Sequence, residues 1–116
     1  MQEVIPGDYL IFQLEAGYAL LRLIGTDETE GEGVWHVAAF NELFLDVDSA
    51  ERSVAENKLS LSLPHAALTT RAFESTQTAR IANAPVTEGE AARVADWRTN
   101  SGEISDKSIR LLLGWR

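Results

Sequence analysis

The sequence contains no cysteine, and only three prolines and one methionine occur among its 116 residues. Without cysteine the chain forms no disulfides, offers no thiolate nucleophile and builds no cysteine-type zinc site. It lacks an apolar run near the roughly 18 residues of a membrane-spanning helix. Its first residues also lack the basic and apolar regions of a signal peptide. These absences lead us to expect a cytoplasmic protein without membrane contact.

Motifs that would identify an enzyme or a cofactor site are also missing. The sequence has no glycine-rich phosphate loop, no Gly-x-Ser-x-Gly element and no complete calcium-binding loop. Two carboxylate groups offer oxygen ligands for a hard cation, but a solvated loop and a helix cap explain them more simply. These groups are Asp27, Glu28, Glu30 and Glu32, and Asp46, Asp48 and Glu51. We therefore predict no metal, no other cofactor and no enzymatic activity.

Two histidines, His36 and His65, are the remaining candidates for acid–base chemistry. A catalytic triad needs a nucleophile beside a base that a carboxylate orients. His36 falls inside a predicted strand, which favours a hydrogen bond in the core or a solvent-facing position. His65 follows Pro64, which is typical of a surface turn. We predict a catalytic role for neither.

The formal net charge of −8 is unevenly distributed. Residues 1–60 carry 12 acidic and 3 basic side chains, whereas residues 61–116 carry 6 acidic and 7 basic ones. An acidic half disfavours nucleic acid and can attract a basic protein. The arginines of the second half either pair with acids of the first half or form an anion site. They are Arg71, Arg80, Arg93, Arg98, Arg110 and Arg116.

Length and the apolar share of 45% fit a single domain over residues 1–116. Patterns of apolar residues predict six strands, at Tyr9–Glu15, Tyr18–Thr26, Val34–Asn41, Lys58–Leu63, Ala79–Pro85 and Ser108–Trp115. The second is nearly apolar on both faces, and the last is rich in leucine and isoleucine. The fold class that follows is α+β and mainly β. We expect a strongly bent antiparallel sheet, or a small SH3-like partly open barrel, with one to three short helices.

Helix signals are short and few. Asp48 and Glu51 have the spacing of a capping box. The segment Thr87-Glu88-Gly89-Glu90 is suited to cap a helix that carries Ala91, Val94 and Trp97. Helical turns are also expected between Ala66 and Glu74.

The cleanest alternation in the chain runs from Lys58 to Leu63. It predicts that Leu59, Leu61 and Leu63 all point into the core. On that basis Leu61→Ala costs about 2–5 kcal/mol of stability. Pro64 ends this strand or places it at a sheet edge.

The segment from Asp27 to Glu32 holds four carboxylates in six residues, between two apolar strands. This arrangement predicts the solvated tip of a hairpin, with Gly31 and Gly33 supplying backbone freedom. Such a tip can also attract a basic partner, and a partly exposed tryptophan nearby can anchor it. The candidate partner-binding residues are Asp27, Glu28, Glu30, Glu32 and Trp35.

Two stretches, IPGDYLIFQLEAGYALLRLIG and ALTTRAFESTQTARIANAPVTEGE, resemble the immunity protein 26 family of small bacterial immunity proteins. The matching residues are Gly7-Asp8, Gly17-Tyr18 and Leu20–Ile24, followed by a helical turn, a strand and a proline. The resemblance implies a β-rich bent sheet and a non-enzymatic role in blocking a toxin. It covers about two-thirds of the chain, and its motifs carry no site residues.

Two functions follow from these observations. The first is a binding protein, an immunity-type or adaptor domain, whose acidic face engages a basic partner. The second is a small enzyme or ligand-binding domain, with a site between the sheet and the arginine-bearing second half. A pocket that gathers His36 or His65 with a carboxylate favours the second function, whereas a flat acidic face with an exposed aromatic favours the first. Either a monomer or a homodimer is compatible with the sequence.

Overall fold

The computed structural model describes residues 4–100 and 102–114. Its centre is a five-stranded antiparallel sheet in the order β4-β3-β2-β1-β5. The strands are β1 Asp8–Leu14, β2 Gly17–Thr29, β3 Glu32–Phe44, β4 Leu61–Thr69 and β5 Ala79–Asn83. The predicted class, α+β and mainly β, is confirmed. The sheet stays open rather than closing into a barrel, because β4 and β5 are its two edges.

The hairpin that joins β2 and β3 turns over two residues, Glu30 and Gly31. Their φ angles are 55° and 83°, as in a type I′ turn, which matches the twist of the strands on either side. The neighbouring strands stop short of this turn, since β1 reaches Arg22 and β4 reaches the level of Val34. Beyond that level β2 and β3 therefore project as a two-stranded ribbon.

Four short helices accompany the sheet in the described residues: α1 Val47–Ala55, α2 Thr70–Glu74, α3 Glu88–Thr99 and α4 Ile109–Leu113. The predicted helix cap between Thr87 and Glu90 is confirmed, and the two side chains form a capping box at the start of α3. The predicted cap at Asp48 is wrong, because Asp46 caps α1 by accepting a hydrogen bond from the Ser49 amide at 2.7 Å. Among the described residues, no helix is both long and apolar enough to span a bilayer.

For two segments the predicted secondary structure is wrong. The predicted final strand from Ser108 is helix α4, capped by the Ser108 hydroxyl and ended by Gly114 in a left-handed conformation. Its predicted end, Trp115, lies outside the described residues. The helical turns expected from Ala66 begin only at Thr70, because Ala66 to Thr69 pair with β3 as part of β4.

Each face of the sheet is covered by helices. On one face α2 and α4 pack through Phe73 and Ile109 against apolar residues that include Leu10, Leu21 and Val37. On the other face α1 packs through Ala50 and α3 through Val94, over residues that include Leu20, Ile24 and Ala38. We call these the α2 face and the α3 face.

The three leucines expected to point into the core do not share one face. Leu61 is 42% exposed, while Leu63 packs on the α2 face and Leu59 on the α3 face. The pairing of β4 with β3 shifts register between Val37 and Phe40, which breaks the alternation that the sequence shows. Pro64 does lie in an edge strand, as predicted.

Candidate functional site

A row of hydrogen-bonded side chains crosses three neighbouring strands on the α3 face. Asp27 of β2 lies 2.8 Å from the Nε2 atom of His36 in β3. The Nδ1 atom of His36 lies 2.8 Å from the Nε2 atom of His65 in β4. Arg98 of α3 completes the row, with its Nε atom 3.0 Å from Asp27 Oδ2 and a terminal nitrogen 2.9 Å from Oδ1. We call Arg98, Asp27, His36 and His65 the polar row.

Strand register brings these residues together. The two-residue turn pairs Gly25 with His36, so Asp27 and His36 are near neighbours on one face of the β2–β3 hairpin. His36 pairs with Ala67 in β4, and His65 lies two residues before it on the same face. Gly25 has no side chain, and a β carbon there would lie 3.3 Å from Val94. The glycine therefore allows α3 to pack closely over the row.

Helix α3 covers one side of His36. The Trp97 indole packs edge-on against the His36 ring, with ring centroids 4.7 Å apart and planes at 76°. Its Nε1–H donates to the carbonyl of Glu103 at 2.9 Å, which fixes the indole. The exposed fraction of His36 is 0%. Protons therefore reach His36 through Asp27 or His65 rather than directly from solvent.

A buried arginine holds the first turn of α3 against the sheet. Arg22 of β2 is 1% exposed, and it donates to both carboxylate oxygens of Glu90 at 3.0 Å. It also donates to the carbonyls of Gly7, Ala84 and Pro85, and its guanidinium lies 4.5 Å from the ring centre of Tyr9. Every strong donor of this group thus has an acceptor, as a buried charge requires. The Arg22 contacts set the position from which α3 presents Arg93, Trp97 and Arg98.

The pKa values of Asp27, His36 and His65 are all shifted, and the causes of the shifts differ. Burial acts to raise the pKa of Asp27, but hydrogen bonds from Arg98 and His36 outweigh it and lower that pKa. Burial lowers the pKa of His36, although the hydrogen bond to Asp27 acts in the opposite direction. Burial also lowers the pKa of His65, and the charges of His36 and Arg93 lower it further. At neutral pH the row therefore holds an ionised Asp27 and two neutral imidazoles.

This charge state fixes where the protons are. An ionised Asp27 only accepts, so His36 donates through Nε2–H and its Nδ1 atom is an acceptor. His65 must then donate to His36 through Nε2–H, which leaves a lone pair on its own Nδ1. That Nδ1 atom makes no hydrogen bond to a described residue. Among the described residues, the row therefore ends in an unused nitrogen lone pair.

The polar row does not have the geometry of a metal centre. Asp27 and His65 bind opposite nitrogens of His36, so the three side chains do not converge on one point. Within residues 4–100 and 102–114, no three histidine, aspartate or glutamate side chains are grouped to hold a metal ion.

The structure separates the predicted partner-binding residues into three environments. Asp27 belongs to the polar row, where Arg98 neutralises it. Glu28, Glu30 and Glu32 are exposed on the projecting ribbon and form no ion pair with a described residue; we call these three the acidic tip. Trp35 lies on the α2 face, stacked on Phe73 with ring centroids 4.5 Å apart, and is partly buried.

The arginines of residues 61–116 have different partners. Arg80 pairs with Asp8 at 3.3 Å and Arg98 with Asp27, so the predicted pairing with first-half acids is confirmed for these two. Arg71 instead pairs with Asp106 of the second half. Arg110 donates to the Gln13 carbonyl, and Arg116 lies outside the described residues. Arg93 has neither an ion pair nor a hydrogen bond with any described residue.

The polar row was not predicted from the sequence. His65 was expected in a surface turn, but it is half-buried in β4 and bonded to His36. One available signal was the two-residue turn, because it fixes the pairing of Gly25 with His36 and places Asp27 beside the histidine. Comparisons of the chain with protein-family models, with curated proteins and with solved structures found no match.

Proposed function

We propose that this chain is a non-enzymatic binding protein that engages a basic protein partner through the acidic tip. The observation that supports the proposal is the combination of position and charge in Glu28, Glu30 and Glu32. All three carboxylates are exposed, and they lie on a ribbon that extends past the neighbouring strands. No cation in the described residues neutralises them.

Like charges placed together weaken folding slightly through repulsion, so their concentration on a projecting turn suits an external target. Opposite charges on a partner would raise the rate of association, whereas buried contacts would set the lifetime of the complex. An immunity-type inhibitor that neutralises a basic toxin is the specific form suggested by the resemblance of Ile5–Gly25 to immunity proteins. A cytoplasmic location belongs to the same proposal.

The test measures association kinetics with a partner captured from the source cells at low and high salt. Replacing Glu28, Glu30 and Glu32 by glutamine should lower the association rate at low salt, with a smaller effect at high salt. The matched control replaces Glu15, Glu51 and Glu74, which are also exposed, by glutamine. Both variants change the net charge by the same amount. Equal association rates for the two variants at low salt would contradict a role for the acidic tip.

A second candidate function is a small ligand-binding or enzymatic domain with its site between the sheet and α3. The polar row favours it, because Asp27, His36 and His65 are brought together beneath arginines of the second half. A carboxylate that orients a histidine is a recurring element of acid–base sites, and here Asp27 bonds His36, whose other nitrogen bonds His65. This candidate uses a different surface from the acidic tip and is tested separately.

A further inference from the structure

The hydrogen bond between His36 and His65 joins two neighbouring strands through their side chains. The Nδ1 atom of His36 and the Nε2 atom of His65 are 2.8 Å apart, whereas the ring centroids are 5.1 Å apart and the ring planes differ by only 15°. The two rings therefore meet edge to edge in nearly one plane, and the lone pair of one nitrogen points at the other nitrogen. Such a bond needs one N–H and one lone pair, so it holds a single proton between the two nitrogens.

A first added proton leaves this bond intact. In the neutral row, Nδ1 of His65 carries the lone pair that has no partner among the described residues. A proton bound there makes His65 an imidazolium, which still donates to His36 through its Nε2–H. If the Nε2 proton instead passes to His36, the positive charge lies beside the carboxylate of Asp27, at 2.8 Å. Both forms keep a charge-assisted hydrogen bond between β3 and β4.

A second added proton removes the bond. With both rings protonated, Nδ1 of His36 and Nε2 of His65 both carry hydrogens, so two positively charged donors face each other. Among the described residues, the other charges that act on the two rings are those of Asp27 from β2 and of Arg93 and Arg98 from α3. Asp27 is the only anion of this group, and it already binds His36 and Arg98. The second imidazolium therefore lacks an anionic partner in the row.

Of the two rings, His65 is the one that is free to move. His36 is 0% exposed, and it is held by the bond to Asp27 and by the indole of Trp97. His65 lies in the edge strand β4, is only half-buried, and makes no hydrogen bond to a described residue other than His36. Rotation of the His65 side chain towards solvent separates the two charges without disturbing the contacts of His36 with Asp27 and Trp97.

We propose that the polar row is a pH-controlled switch, in which one added proton keeps the link between His36 and His65 and a second proton releases His65 to solvent and uncovers His36 from the β4 side. Burial lowers the pKa of both histidines, so both steps lie below the ordinary histidine value of 6.5. The switch deepens the second candidate function and rests on it for its purpose, because it controls access to the space between the sheet and α3. It does not involve the acidic tip.

The experiment follows the full chain by ¹⁵N NMR of its labelled histidine rings from about pH 8 to about pH 4.5. The ring shifts report the protons on each nitrogen, and the coupling between His36 Nδ1 and His65 Nε2 across the hydrogen bond reports the bond itself. We expect two proton-binding steps that are more than about one pH unit apart. The coupling should persist through the first step and disappear in the second. Exchange of the His36 ring protons with water should then become faster by about tenfold or more.

His65→Gln is the matched control, because its amide serves as donor or acceptor without a change of charge. Rotation of the amide presents either its N–H or its oxygen to Nδ1 of His36, so the link adapts when His36 is protonated. This variant should bind one proton instead of two, and exchange of the His36 ring protons should not accelerate. Circular dichroism at each pH shows that both proteins remain folded, which distinguishes local release from unfolding.

The measurements on the protein alone decide the proposal, whether or not the chain has a basic partner or a ligand. The switch is wrong if the two histidines of the wild type bind protons in a single step, or if the coupling disappears in the first step. It is also wrong if the second proton binds while the coupling persists, or if the folded wild type binds no second proton. Equal acceleration of exchange in His65→Gln would show that acid exposes His36 without the release of His65, which likewise overturns the switch.

Discussion

The guanidinium group of Arg22 in β2 contacts both carboxylate oxygens of Glu90 in α3, each at 3.0 Å. The same arginine binds the carbonyls of Ala84 and Pro85, which lie between β5 and α3. One side chain thus connects the middle of the sheet with the segment that brings α3 over the polar row. The geometry of the candidate site depends on this contact, although Arg22 does not touch the row.

We expect Arg22→Met to lower the free energy of unfolding by about 3–5 kcal/mol, because removing one partner of a buried ion pair leaves Glu90 and the carbonyls unsatisfied. Urea unfolding measures the change. The control Arg52→Met removes an exposed arginine and should change the stability by less than about 0.5 kcal/mol. Equal effects of the two substitutions would show that the buried contacts of Arg22 contribute nothing.

The pH dependence of stability should follow the two histidines. Burial lowers the pKa of His36 and of His65 in the folded state below the ordinary value of 6.5. Between the lowered pKa and 6.5, the unfolded chain binds more protons than the folded chain, so acidification favours unfolding. The free energy of unfolding should therefore fall as the pH drops below about 6.5. His65→Gln should reduce the slope between pH 7.5 and 5.5, and a stability that rises on acidification in this window would contradict the prediction.

Two neighbouring carboxylates in β2 should respond differently to neutralisation. Asp27→Asn removes the charge that Arg98 and His36 bind, and we expect a loss of about 1.5–3 kcal/mol, the contribution of a hydrogen bond to a charged group. Glu28→Gln neutralises an exposed member of the acidic tip, and its effect should stay within about 0.5 kcal/mol. Thermal and urea unfolding of the two variants provide the comparison. A larger loss of stability for Glu28→Gln than for Asp27→Asn would contradict the structural role given to Asp27.

The turn between β2 and β3 contains a residue in an unfavourable conformation. Glu30 has φ 55°, a left-handed value that costs most residues about 1–2 kcal/mol and that asparagine tolerates better. Glu30→Asn should therefore raise the free energy of unfolding by up to about 1 kcal/mol. Glu30→Gln removes the same charge but leaves a residue that is equally unfavourable in the left-handed conformation. The comparison therefore separates the effect of backbone conformation from the effect of charge repulsion. Equal stabilisation by both substitutions would assign the effect to charge repulsion alone.

Leu61 should be tolerant of truncation, contrary to the expectation from its alternating pattern. Its side chain is 42% exposed at the start of an edge strand, so Leu61→Ala should cost less than about 1 kcal/mol. Leu23 is fully buried on the α2 face, and Leu23→Ala should cost about 2–5 kcal/mol. Denaturant unfolding of the pair checks the assignment of faces in β4. A larger loss of stability for Leu61→Ala than for Leu23→Ala would instead support the inward-facing Leu61 that the sequence predicts.

Local signals predicted the parts of the fold that depend on local interactions. The first strand, the acidic hairpin and the cap formed by Thr87 and Glu90 all follow from neighbours in sequence. The leucine-rich segment after Ser108 was assigned to a strand because five residues show too little periodicity to separate a helix from a strand. There the serine cap and the glycine after Leu113 were the better signals.

Predictions from strand alternation failed where the register of the β3–β4 pairing shifts, between Val37 and Phe40. The polar row was harder to predict, because His36 and His65 are 29 residues apart and meet through the register of β3 with β4. Hydrophobic periodicity assigns a residue to a face of a strand, but it does not show which polar residue of another strand lies beside it. The unpartnered state of Arg93 likewise depends on packing that no local pattern reports.

The placement of β5 has a consequence for the kinetics of folding. Strands β1 to β4 are neighbours in the sheet in the same order as in the chain, so each of these pairings joins consecutive strands, with α1 lying between β3 and β4. The chain then crosses from one edge of the sheet to the other, and β5 pairs with β1, joining Asp8 to Asn83 across 75 residues. Closing so long a loop carries the largest entropic cost of any pairing in the sheet. The rate at which this protein folds is therefore tied to the return of β5 to the first strand.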